Sequence, residues 1–259
     1  YAPPTRKIRR HIQEKGIKAT PVRHQKMCKL TQHLLRLICL LAVGFASASL
    51  QAQERIVLAN DAVLNVFMVE PEASDAPKPL LILMGGGAGN ASISRDTSQW
   101  LGSGFAQRGW IVAVPISPNN RSFRGSENNE MIAQLIDKLQ QRNDVATGKV
   151  LLAGVSNGGM SALEIARSDP SRYFGVAAVP ALLSENRANA ALHGFPVYLR
   201  IGGADQLGWA DRFEETVASF TVAGVELDAA ILDGAPHMFR MDWSTLGPWL
   251  VKIRAQGAN

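Results

Sequence analysis

The stretch Lys149-Val150-Leu151-Leu152-Ala153-Gly154-Val155-Ser156-Asn157-Gly158-Gly159 joins a short apolar run to a helical one through a serine with glycine two residues to either side. A serine on a sharp strand-to-helix turn presents its hydroxyl at the edge of a sheet. The turn demands small residues at the flanking positions, because larger ones collide with the incoming strand or the outgoing helix. In a glycine-rich chain of this length such a pattern arises by chance on the order of one time in ten, so the flanking strand and helix carry the argument. They make Ser156 a candidate nucleophile for acyl transfer.

Outward from this turn, runs rich in Val, Ile and Leu alternate with longer amphipathic stretches, a rhythm that predicts a mostly parallel, doubly wound α/β sheet with helices on both faces. The expected strands are Val63–Val69, Pro79–Met84, Trp110–Ile116, Val150–Val155, Gly175–Val179, Val197–Ile201 and Glu226–Leu232, apolar throughout as doubly covered strands are. Expected helices are Ser98–Arg108, Glu127–Arg142, Asn157–Arg167, Ala210–Val222 and Asp242–Arg254. In the second, Met131, Ile132, Leu135, Ile136 and Leu139 share one face, with Ser126 as the N-cap. Between Val179 and Pro196 there is room for one short helix, so no large lid is expected and the cleft should be open.

A serine hydroxyl is a poor nucleophile at neutral pH. It needs a histidine to take its proton and an acid to hold that histidine in the right tautomer. Of the five histidines, three lie before residue 34, leaving His193 and His237. On this kind of turn the order along the chain is Ser, acid, His. His237 follows the last expected strand and fits; His193 precedes the acids that follow the next strand and reads as a loop or helix-end residue. For the acid, Asp205 lies just past the strand Val197–Ile201, while Asp233 and Glu185 compete.

The negative oxygen of a tetrahedral intermediate needs backbone N–H donors, one after the nucleophile and one from a loop after an early strand. Asn157 supplies the first; Gly86 and Gly87, in Met84-Gly85-Gly86-Gly87-Ala88-Gly89-Asn90, fit the second. That turn is no phosphate loop, since Asn90 breaks Gly-x-Gly-x-x-Gly and no Gly-Lys-Ser/Thr follows. No metal motif and no cofactor fingerprint is present. Arg121 and Arg124 read as solvated loop residues or as partners of a substrate carboxylate, and Trp209 as core or as an apolar substrate wall.

The formal charge of +5 misleads until it is located. Residues 1–52 hold 10 of the 27 basic side chains and one of the 22 acids, leaving 17 basic and 21 acidic groups from residue 53 onward, which argues against a nucleic-acid partner. Residues 27–52 have the zones of a secretory signal: Lys29 and Arg36, then apolar Leu37 to Phe45, then small residues through Ala52. The apolar part is short of the roughly 20 residues of a membrane span, so cleavage and a secreted or periplasmic product are expected, with a retained anchor as the competing reading. Residues 1–26 read as a non-structural extension, and residues 53–259 as the catalytic domain. Cys28 and Cys39 both fall in the signal, which excludes a disulfide or thiol nucleophile from the mature part.

The Ser156 turn, the Gly85–Gly89 turn, Asp205 and His237, in that order, resemble the α/β-hydrolase superfamily over about residues 55 to 256. Within it, Ser156-Asn157-Gly158-Gly159-Met160 looks like the turn of secreted esterases related to polyhydroxybutyrate depolymerases and feruloyl esterases. The resemblance implies a serine esterase with Ser156, Asp205 and His237 as its triad, acting without a cofactor on a small-molecule or polymeric ester. The sequence departs from that group in having Met84 where many esterases place a histidine, and no cysteine in the mature part. The rival readings are a serine peptidase of the same fold, for which no gating domain precedes the catalytic region, and a ligand-binding protein without turnover.

Overall fold

The computed structural model describes residues 53–120, 122–183 and 190–257, so the expected signal at 27–52, Arg121 and Glu185 lie outside the described residues. Its strands are β1 (Gln53–Val57), β2 (Val63–Val69), β3 (Leu80–Met84), β4 (Ile111–Pro115), β5 (Val150–Gly154), β6 (Tyr173–Ala178), β7 (Pro196–Gly202) and β8 (Glu226–Leu232). They form one sheet in the order β1-β2-β4-β3-β5-β6-β7-β8. Pairing is parallel from β4 through β8, while β1 pairs antiparallel with β2, and β2 antiparallel with β4.

The helices are α1 (Ala91–Thr97), α2 (Ser103–Ala106), α3 (Ser126–Leu139), α4 (Asn157–Ser168), α5 (Phe213–Val222) and α6 (Trp243–Gly257). Strand alternation explains why both faces are covered. Leu80, Ile82, Met84, Val150 and Leu152 pack with Ile132 and Leu135 of α3, Leu163 of α4 and Phe220 of α5. Leu81, Leu83, Leu151 and Ala153 turn the other way, toward Leu101, Phe105 of α2, and Leu246 and Leu250 of α6. Each such side chain contributes about 1.5–3 kcal/mol on burial, which is why β3, β4 and β5 are apolar without interruption.

Three of the differences from the sequence reading have identifiable causes. Strand β1 went unexpected because only Ile56 of its five residues is buried, so no apolar run marks it. The helix expected from Ser98 begins seven residues earlier, at Ala91, where the Asn90 side chain accepts the Ile93 N–H at 3.1 Å; it then passes through a π-helical turn, Ser98–Gly102, into α2. Ser126 is not the N-cap of α3. That position is Gly125, whose φ of 94° suits glycine and whose N–H donates to Glu164 Oε1 at 2.9 Å. Among the described residues, no helix is long and apolar enough to cross a membrane.

The loops after β3, β5, β7 and β8 all leave from the carboxyl ends of parallel strands, the edge at which open α/β sheets carry their sites.

Candidate active site

Ser156 links β5 to α4 with φ 56° and ψ −120°, a left-handed backbone that side-chain-bearing residues rarely adopt. The crowding that requires glycine around it is measurable. A Cβ on Gly154 would lie 2.2 Å from Gly158 O, one on Gly158 2.2 Å from Met84 O, and one on Gly159 2.6 Å from Pro180 O. The Ser156 N–H donates to Pro180 O at 2.8 Å, and the Met160 N–H to Ser156 O at 3.0 Å, so the turn is anchored on both sides.

His237 comes in on the loop after β8. Its Nε2 is 2.9 Å from Ser156 Oγ, and its Nδ1 is 2.7 Å from Asp205 Oδ2. The Asp205 side chain is fully buried, and its other oxygen accepts the Leu207 N–H at 2.7 Å, so both oxygens of a desolvated carboxylate have a donor. A carboxylate at Nδ1 puts the imidazole proton there and leaves Nε2 as the acceptor facing Ser156 Oγ. The ring is further fixed by Trp209, which meets it edge-on at 4.8 Å between centroids, and by a 3.1 Å bond from the His237 N–H to Gln206 Oε1.

The glycine turn after β3 lies against the serine: a Cβ on Gly86 would be 3.3 Å from Ser156 Cβ. The carbonyls of its three consecutive glycines are held. Gly85 O accepts Ser122 Oγ at 2.9 Å, Gly86 O accepts the Gly89 N–H at 2.9 Å, and Gly87 O accepts Asn157 Nδ2 at 2.9 Å. The N–H groups of Gly86, Gly87 and Asn157 have no protein acceptor among the described residues. Uncommitted N–H groups on a turn whose carbonyls are held make a cradle chemically suited to an anion.

These groups open into a cleft of about 630 Å³, whose apolar walls include Ile93, Trp100, Val155, Leu207, Met238 and Phe239. Trp100, Leu207 and Met238 are 37%, 59% and 51% exposed, an apolar rim around the mouth. Asp96, Thr97 and Arg240 add polar groups.

The structure thus brings Ser156, Asn157, Asp205, His237, Gly86 and Gly87 to one place. It leaves the competing residues elsewhere. Asp233 is solvent-exposed, while His193 packs beside Gly224, ahead of β8 and at the opposite edge of the sheet. Arg124 sits 3.8 Å from Glu164 and does not line the cleft; Trp209 braces His237 rather than forming a substrate wall. Sequence reasoning did not find the rim. Trp100 rides on the π-helical turn, where 3.6-residue periodicity is interrupted, and Leu207 and Met238 meet it only because two loops converge. Among the described residues, no three His, Cys, Asp or Glu side chains are placed to hold a metal ion.

Strand order and turn geometry define the α/β-hydrolase fold, and a family comparison agrees: the model of the Dienelactone hydrolase family matches residues 120–248. The chain has the α/β-hydrolase fold, and its residues 120–248 are similar to the Dienelactone hydrolase family. No curated protein sequence matches it significantly. Among solved structures it is similar to fluorophosphonate-binding serine hydrolase F of Staphylococcus aureus, at 11% identity and TM-score 0.61, covering 78% of this chain and 97% of that one. It is also similar to an acetyl xylan esterase from Aspergillus awamori, at 12% identity and TM-score 0.59, covering 77% and 99%. A candidate dienelactone hydrolase from Klebsiella pneumoniae aligns at 14% identity and TM-score 0.60, covering 80% and 98%.

Proposed function

We propose that this protein is a serine hydrolase that cleaves carboxylic esters through an acyl-enzyme on Ser156. The observation that carries the reading is the hydrogen-bonded series Ser156 Oγ, His237, Asp205, set beside uncommitted N–H groups in a mostly apolar cleft. Names among the structural relatives, a serine hydrolase and an acetyl xylan esterase, support the same class.

In this reading Ser156 Oγ attacks the ester carbonyl carbon as its proton passes to His237 Nε2. The carbonyl π pair moves onto oxygen, where the Asn157 N–H and the glycine turn meet the charge; one such donor is worth about 10²–10³ in kcat. Collapse expels the alcohol oxygen, which takes the proton from His237, and leaves an acyl group on Ser156. Water then repeats the steps, with His237 accepting its proton, and frees the acid. Asp205 holds the ring and stabilises the imidazolium without taking its proton. The apolar walls fit a substrate with an apolar acyl or alcohol part. We propose as well that the enzyme is exported, on the signal-like order of residues 27–52.

The test is a panel of chromogenic esters of rising acyl length with feruloyl and peptide substrates alongside, paired with a fluorophosphonate probe. Wild-type protein should hydrolyse esters and take the probe, and Ser156→Ala should do neither, its kcat falling by about 10⁶. Probe labelling that persists in Ser156→Ala would place the nucleophile elsewhere, and turnover of peptides alone would favour a peptidase.

A further inference from the structure

Ser122 is one of the buried polar residues that this chemistry does not use. Ser122 is 1% exposed and lies on the loop after β4, behind the glycine turn and away from the cleft lining. Its φ is 53°, that of the adjacent Phe123 is 61° and that of Asn120 is 55°, so three side-chain-bearing residues of this loop have left-handed backbone. Such backbone is strained for a residue with a side chain, and strain of this kind persists only where surrounding contacts impose it. Here the contacts are identifiable. Gly89 is wedged between Ser117 and Ser122, with Cβ-position gaps of 3.2 and 3.3 Å, and the Ser117 N–H donates to Gly89 O at 2.8 Å.

The Ser122 hydroxyl donates to Gly85 O. That carbonyl and the Gly86 N–H belong to one planar trans peptide and therefore point in opposite directions. Fixing the carbonyl from behind fixes where the N–H aims, and hydrogen bonding to the carbonyl also polarises the N–H into a better donor. The other half of the cradle is tied to the same residue. Ser161, on α4, has its hydroxyl oxygen within hydrogen-bonding reach of both Ser122 O and Asn157 O and shares its one proton between them, so the helix that carries the Asn157 N–H and the loop behind the Gly86 N–H share one buried junction.

We infer that Ser122 is a positioning residue for transition-state stabilisation: acting through Gly85, it holds the Gly86 N–H on the developing oxyanion. This rests on the reading of Ser156 as the nucleophile. It is a role in the transition state, where charge has moved onto oxygen, and not in binding the ester itself.

Two variants separate this role from folding. Ser122→Gly removes the hydroxyl while relieving the left-handed backbone; Ser122→Ala removes the hydroxyl alone. In both, kcat for an oxygen ester should fall about 10- to 100-fold at unchanged KM, somewhat less than outright loss of a donor. Ser122→Gly should melt no lower than Ser122→Ala. The matching thionoester, whose sulfur takes weaker hydrogen bonds, should lose much less, so the oxo-to-thiono rate ratio should drop. The inference is overturned if kcat in Ser122→Gly stays within about twofold of wild type, or if both esters lose rate equally. If the wild-type protein neither turns over esters nor labels with fluorophosphonate, the nucleophile reading itself fails and takes this inference with it.

Discussion

Gly202 and Pro236 stand so close that a methyl group on the first would lie 2.2 Å from the carbonyl oxygen of the second, and 2.4 Å from that of Ala235. The last residue of β7 is therefore the floor on which the His237 loop rests. Bonds from the Gly203 N–H to Leu232 O at 2.8 Å and from the Ala204 N–H to Ala235 O at 2.9 Å clamp the loops that carry Asp205 and His237. Gly202→Ala should displace the imidazole, and a misplacement of about 1 Å costs on the order of 100-fold in rate. Steady-state kcat with a thermal melt on the same sample checks this. Wild-type kcat would mean that the loop moves aside without disturbing His237.

His237 and Asp205 should behave as one unit with Ser156, since each depends on the hydrogen bond made by the next. His237→Ala should remove turnover almost as fully as Ser156→Ala, with little further loss in the double variant. Asp205→Asn should retain more activity, because it chiefly misorients the ring. Damage from His193→Ala or Asp233→Asn, with the assigned partners silent, would move the site.

Trp100 is 37% exposed at the cleft mouth and is expected to bind the apolar part of a substrate rather than the reacting carbonyl. Trp100→Ala should raise KM several-fold for long-chain or aromatic esters, an effect of roughly 1–2 kcal/mol from lost apolar contact, and leave acetyl esters nearly unchanged. An equal loss on both would assign the ring to the fold instead.

Two buried phenols are expected to weaken the fold at alkaline pH. Tyr198 and Tyr173 are 0% and 3% exposed, and burial pushes both above the ordinary tyrosine value. In the unfolded chain a phenol ionises near pH 10, and the folded state resists, so the unfolded state gives up protons first. Stability should hold below about pH 10 and fall as pH rises above it. Denaturant midpoints measured across that range should decline less steeply in Tyr173→Phe, which keeps the ring and removes the titrating group.

If residues 27–52 are an export signal, the mature chain begins shortly after Ala48 or Ala52. N-terminal sequencing of protein from medium or cell envelope should read that start. An intact Met27 end on cytoplasmic protein would count against export.

The sheet and the three hydrogen-bonded side chains were readable because they rest on short-range rules: apolar runs for doubly covered strands, glycines where no Cβ fits, and one histidine placed after the last strand. The features that escaped depend on contacts between distant segments. Gln53–Val57 buries one side chain and becomes a strand only by pairing with β2. Ala91–Thr97 was concealed because Asn90 reads equally as the end of a glycine turn and as a helix cap. Ser122 has no local signature at all; its importance lies in a bond to a carbonyl 37 residues earlier.

The left-handed backbone of Ser156 has an evolutionary consequence. At φ 56° any residue with a side chain is strained there, and glycine alone is not. Ser156→Gly should therefore yield a protein harder to melt than the wild type and unable to perform its chemistry. Selection for robustness alone would erode this position, so a lineage that keeps serine in it trades durability for turnover, generation after generation.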